Sequence, residues 1–109
     1  MNRTDDVYLQ DILECVNIVL NYLEDISEFD FTKNLMLQDA VNRRFEIIGE
    51  AASRISSEFK KDNPSVHWRL MKDMRNKLIH DYFGVSPITI YSTSKVHLPV
   101  LKEQLEKLV

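Results

Sequence analysis

From Tyr8 to Ile26 apolar side chains return every third or fourth position, through Ile12, Cys15, Val16, Val19 and Leu23. At about 100° per residue these positions fall on one side of an α-helix, and winding as a helix buries them together. The same period recurs over 33–59 through Leu37, Ala40, Val41, Phe45, Ile48, Ala52, Ile55 and Phe59. A third stripe holds Trp68, Met71, Met74, Leu78 and Ile79, and later ones hold Ile88, Tyr91 and Leu98, then Leu101, Leu105 and Leu108. Only 2 Gly and 3 Pro are present. That is too few for the closely spaced turns of a small all-β fold, and it provides no glycine-rich phosphate loop.

These periods predict an all-α fold, an up-and-down four-helix bundle with a short fifth C-terminal helix, built as one domain over 1–109. The first helix is expected over 5–27, with EFDF (28–31) as a connection and Asp30 or Thr32 as N-cap of a long second helix over 33–59. Gly49 inside that helix costs roughly 1 kcal/mol relative to Ala, so it is read as a mark of close helix packing. Asn63–Pro64 predicts the start of a third helix running to about Tyr82, with Gly84 as its stop. Ser86–Pro87 predicts a fourth, and Pro99 a kink or break before the last. The single cysteine, Cys15, permits no internal disulfide, and no apolar run approaches a membrane span. A cytoplasmic chain is expected.

Net charge is −3, which gives no global reason to expect a nucleic-acid partner. The distribution is uneven. Residues 1–30 carry Arg3 against eight acids, whereas 60–77 carry Lys60, Lys61, Arg69, Lys72, Arg75 and Lys77 against Asp62 and Asp73. Two solvated helix faces would account for this. So would a basic surface for an anion such as an RNA phosphate.

The basic segment leads into RNKLIHDY (75–82). His80 has the side chain suited to proton transfer near neutral pH, and Arg75 the one suited to gripping phosphate. Asn76 and His80, at i and i+4, share a helical face, while Arg75 and His80 lie about 140° apart on a regular helix. The two converge only if the helix loosens or a second copy of the chain completes the site. Taken alone, the cluster reads more readily as a helix-end His, core aromatics and an ion-paired Arg than as a catalytic site.

The pattern R-x4-H-x-Y, here Arg75, His80 and Tyr82, resembles the signature of HEPN-domain ribonucleases of the HepT toxin type. DAVNRRFEIIGEAASRIS resembles the second helix of that family, Pro64 and Trp68 its lead into the third, and YFGV and LPVL its closing segments. Val66–His67 and Tyr91 depart mildly from the pattern. The resemblance implies a metal-independent endoribonuclease in which a 2′-hydroxyl attacks the adjacent phosphodiester at a homodimer cleft. Arg75, Asn76 and His80 would be catalytic. It further implies a partner, an MntA-like minimal nucleotidyltransferase antitoxin, that transfers AMP from ATP onto Tyr82. The chain itself would need no cofactor and no metal. Lys72 and Lys77 flank the motif and are candidate RNA contacts, as are Arg43 and Arg44. Glu50 is expected in a structural ion pair. A non-catalytic subunit supporting a nucleotidyltransferase, or a purely structural helical domain, remain the alternatives.

Overall fold

The computed structural model describes residues 4–76 and 86–109. All regular structure among them is helical. The elements are α1 (Asp5–Leu23), α2 (Glu28–Lys33), α3 (Leu35–Ser53), α4 (Ser57–Asp62), α5 (Trp68–Asn76), α6 (Pro87–Ser92), a π-helical turn (Thr93–His97) and α7 (Leu98–Glu106). None of these helices is long and apolar enough to cross a membrane.

The apolar stripes become the core. Leu9, Ile12, Val16 and Val19 of α1, Val41, Phe45 and Ile48 of α3, Met71 and Met74 of α5, and Leu98 and Leu105 of α7 have no exposed surface. Each buried Leu, Ile, Phe or Met contributes about 1.5–3 kcal/mol by leaving water. Leu9 joins this set although the spacing favoured Tyr8, which is only partly buried. At the other end Ile88 is exposed and Ile90 is buried in its place.

Hydrogen bonds between residues distant in the sequence fix the directions of the rods. Asp5 at the start of α1 accepts hydrogen bonds from the Ser56 backbone N–H (2.9 Å) and hydroxyl (2.7 Å), just beyond the end of α3, so these two helices run antiparallel. At the other end of α1, the Tyr91 hydroxyl donates to Ile26 O and Lys95 Nζ donates to Leu23 O. These groups satisfy carbonyls that a helix C-terminus leaves unpaired.

Several expected boundaries move, each for a local reason. The first helix stops at Leu23, not at residue 27, because Asp25 takes a left-handed conformation (φ 62°) that an Asp tolerates and a helix does not. The expected connection EFDF is itself a short helix capped by the Ser27 side chain, and the long helix after it is capped by the Asn34 side chain, which accepts from Leu37 N, and not by Asp30 or Thr32. The 33–59 run is two helices. α3 ends at Ser53, and the Ser56 hydroxyl caps α4 by accepting from Phe59 N. Asn63 ends α4 instead of opening the next helix. Its carbonyl receives the Trp68 indole N–H (2.9 Å) and the Val66 N–H, so α5 begins at Trp68. Ser86 and Pro87 do open α6 as the sequence suggests. Pro99 produces no break: the backbone stays helical from Pro87 to Glu106. The preceding turn widens so that the Leu98 N–H reaches Thr93 O, which accommodates a residue with no N–H to donate. The four rods of the bundle are thus α1, α3, α5 and the α6–α7 run.

Candidate active site

A cleft of about 840 Å³ lies between α3, α4 and α5. Its floor is small: Gly49, Ala52 and Ser53 of α3. Its rim is cationic: Lys60, Arg69, Lys72 and Arg75, with Asp73 the only acid among the described lining residues. Trp68 and Asn76 complete it.

Gly49 explains how α5 comes so close. A Cβ at this position would collide with the Arg75 Cβ and come within 3.0 Å of the Arg75 N and the Met71 O. All three of those atoms are backbone or fixed to it, so nothing flexible can yield. The absent side chain therefore sets where Arg75 sits. The cost of a mid-helix glycine is met by close helix–helix packing, as the sequence suggested, and the packed partner is the motif arginine itself.

The next residue holds that arginine's head. Glu50 accepts from Arg75 Nε at 3.2 Å through Oε2 and from an Arg54 terminal nitrogen at 3.2 Å through Oε1. The grip is on Nε, the inner nitrogen, so this ion pair does not consume the terminal amino groups of Arg75. Those groups can serve a bidentate contact to an anion. The Arg75 side chain is 41% exposed and that of Glu50 46%. Solvent screening keeps such a pair below about 1 kcal/mol of stability, so it acts on orientation more than on folding.

Asn76 and Lys72 are exposed on α5 and line the same cleft as Arg75. Arg43 and Arg44 do not join them. Arg43 is exposed, pairs with Glu46 at 3.4 Å, and borders a shallower hollow shared with α1. Arg44 turns to Cys15 Sγ at 3.9 Å. Burial pushes the Cys15 thiol up, against the lowering effect of Arg44. Lys77, His80 and Tyr82 lie outside the described residues. Lys60 and Arg69 line the cleft without having been singled out in the sequence. The signal was present: Arg69, Lys72 and Arg75 recur every third position, a spacing that keeps neighbours together along a helix. Among the described residues no group of three or more His, Cys, Asp or Glu side chains is placed to hold a metal ion.

A cationic cleft with an oriented guanidinium at its inner edge is suited to binding phosphate groups and stabilising charge that develops on one. Comparison with known proteins agrees with this chemistry. The family described as "Ribonuclease HepT-like" matches residues 12–108. "Probable ribonuclease HepT" of Thermococcus cleftensis is 42% identical over 108 residues, 99% of this chain and 98% of that protein. "Putative RNase MJ1380" of Methanocaldococcus jannaschii is 40% identical over 107 residues, 97% and 98% of the two chains. Among solved structures there is no significant match.

Proposed function

Because this chain belongs to the HepT-like ribonuclease family, we propose that it is an endoribonuclease that cleaves RNA through its own 2′-hydroxyl, without a metal, at a site completed by a second copy of the chain. The observation that carries this reading is the doubly fixed Arg75, positioned by Gly49 beneath it and by Glu50 at Nε, on the edge of a cationic cleft.

In the proposed reaction the 2′-oxygen attacks the adjacent phosphorus and the bond to the 5′-oxygen breaks. The products are a 2′,3′-cyclic phosphate and a free 5′-hydroxyl. His80 moves the protons. Arg75 stabilises the negative charge that builds on the phosphoryl oxygens, a contribution of the kind worth about 10²–10³ in rate when one donor is removed. Asn76, one helical turn before His80 in the sequence, orients the imidazole or the phosphate. Lys72 and Lys77 position the backbone. Arg75 and His80 diverge on a regular helix, and pairing two chains supplies one group from each motif.

The reading extends to control. A partner nucleotidyltransferase transfers AMP from ATP to the Tyr82 oxygen, with pyrophosphate as the leaving group. The added phosphate brings negative charge and bulk beside the cations that would hold RNA, and so excludes it. The chain is then the toxin and the nucleotidyltransferase its antitoxin.

Expression of the chain alone should arrest growth, and His80→Ala should relieve the arrest while leaving the helical signal and melting cooperativity intact. Identical behaviour of wild type and His80→Ala on RNA and on growth would end the ribonuclease mechanism. For the control step, protein co-expressed with the nucleotidyltransferase should carry a whole multiple of the AMP mass on the peptide containing Tyr82. Normal neutralisation of Tyr82→Phe would remove that tyrosine from the account.

A further inference from the structure

The cleft extends past Arg75 to α4, and the proposed reaction uses nothing at that end. Lys60, Trp68 and Arg69 line it. We propose that these three form an RNA subsite that holds the strand flanking the scissile phosphate and sets affinity, not turnover. The proposal rests on the ribonuclease reading and adds residues that the R-x4-H-x-Y motif does not contain.

Charge is the first argument. Arg43, Arg54 and Arg75 each have a carboxylate partner. Among the described residues Lys60, Arg69 and Lys72 have none, although they share one concavity. Four cations sharing a cleft with Asp73, the single acid among its described lining residues, repel one another more than that acid offsets, and the balance improves when an anion arrives. The helix turns at Ser53 and Asn63 that bring Lys60 to this wall are built by the Ser56 cap, its bonds to Asp5 and the Trp68 bond to Asn63 O, and among the described residues no acid pairs with Lys60 itself.

Shape is the second. Arg69, Lys72 and Arg75 occupy successive third positions on α5, so the row spans about 9 Å at 1.5 Å rise per residue. A single phosphate would engage one end of such a row. A strand with repeated phosphates can follow it. The cleft volume of about 840 Å³ is toward the large end of the ~300–1,000 Å³ common for small-molecule sites, so one phosphate would leave most of it empty.

Trp68 is the third. Its indole N–H is already donated to Asn63 O, and Phe59 meets its ring edge-on with centroids 6.2 Å apart. What it offers the cleft is therefore apolar ring surface, held still. A rigid aromatic beside a row of cations matches the two needs of a single strand, base contact and backbone neutralisation.

The test uses a fluorescently labelled single-stranded RNA oligonucleotide and the full chain. Binding is read by anisotropy in a His80→Ala background, so that the RNA stays intact, and turnover in the wild-type background. Lys60→Ala with Arg69→Ala should weaken binding about tenfold. It should also flatten the dependence of log affinity on log salt by about 1.4, two phosphates at ~0.7 each for a single strand. The kcat at saturating RNA should stay within about twofold, with the loss appearing in KM. Lys107→Ala, outside the cleft, removes one positive charge and should change neither. Trp68 is the only tryptophan in the chain, so RNA binding should also quench its intrinsic fluorescence in the unmutated site. If the chain cleaves RNA and the double variant keeps the wild-type KM and salt slope, the subsite is refuted and the catalytic reading stands. Unchanged Trp68 emission at saturating RNA would remove the aromatic part. Wild-type protein that neither binds nor cuts RNA would overturn both.

Discussion

The two faces of α3 carry similar residues and do opposite things with them. Toward α1, Arg43 meets Glu46, Arg44 meets Cys15, and α1 itself is acidic. Toward α5, Gly49 and Glu50 present Arg75 to a cleft in which Lys60, Arg69 and Lys72 find no carboxylate partner among the described residues. The first face is electrically closed and the second is left open for a ligand. Basic residues as such do not mark a binding surface; basic residues that the fold leaves uncompensated do. The bundle can leave them so because stability comes from elsewhere. One buried Ile12 or Phe45 contributes about 1.5–3 kcal/mol, more than an exposed ion pair at 0–1 kcal/mol.

If the open face depends on close approach, filling Gly49 should damage it most. Gly49→Ala should cost about 1–3 kcal/mol in denaturant unfolding through overpacking, and should also displace Arg75 and depress RNA turnover. A variant that melts normally and turns over normally would break the link between the glycine and the arginine. Glu50→Gln comes next. It should leave stability within about 1 kcal/mol, because the pair is screened, yet lower kcat roughly tenfold with little change in KM. A change in KM alone would make Glu50 a binding residue and not a positioning one.

Much of this was legible in the residues. The stripes placed Ile12, Val16, Phe45, Ile48, Met71 and Leu105 in the core, because a period near 3.6 leaves little alternative for an apolar face. Gly49 beside Ala51 and Ala52 correctly marked tight packing. Helix ends were less legible, because they are decided by side chains that reach across the fold. Ser56 caps α4 while also bonding Asp5, fifty-one residues away in sequence. Asn63 resembles a helix start, and its carbonyl serves Trp68 instead. The cleft was legible only in part. Arg75 and Asn76 stood out through the motif, whereas Lys60 belongs to the cleft only because the 33–59 run breaks at Ser53. Arg43 and Arg44 carried the right charge on the other face of the helix.

The closed face should be correspondingly quiet. Burial raises the Cys15 thiol above its ordinary range, so the native protein should react with a maleimide far more slowly at neutral pH than the unfolded chain does. The contribution of that protonated thiol to stability is fully present below the unfolded thiol's range and is lost as pH rises through the folded one. Fast native labelling would show that α1 and α3 part readily there. Arg43→Ala should have the smallest effect, at most about 0.5 kcal/mol on unfolding and no measurable change in RNA affinity. A clear loss of affinity would mean that the face toward α1 also touches the substrate and that the division between faces is wrong.

Cleavage of an RNA oligonucleotide in the presence of a metal chelator, with the product ends identified by mass spectrometry, tests the central claim most directly. Wild-type protein should yield 2′,3′-cyclic phosphate and 5′-hydroxyl ends, and folded Arg75→Ala should be slower by about 10²–10³. Cleavage at the wild-type rate by Arg75→Ala, or 3′-hydroxyl and 5′-phosphate ends, would contradict an account built on an oriented Arg75 and attack by the 2′-hydroxyl.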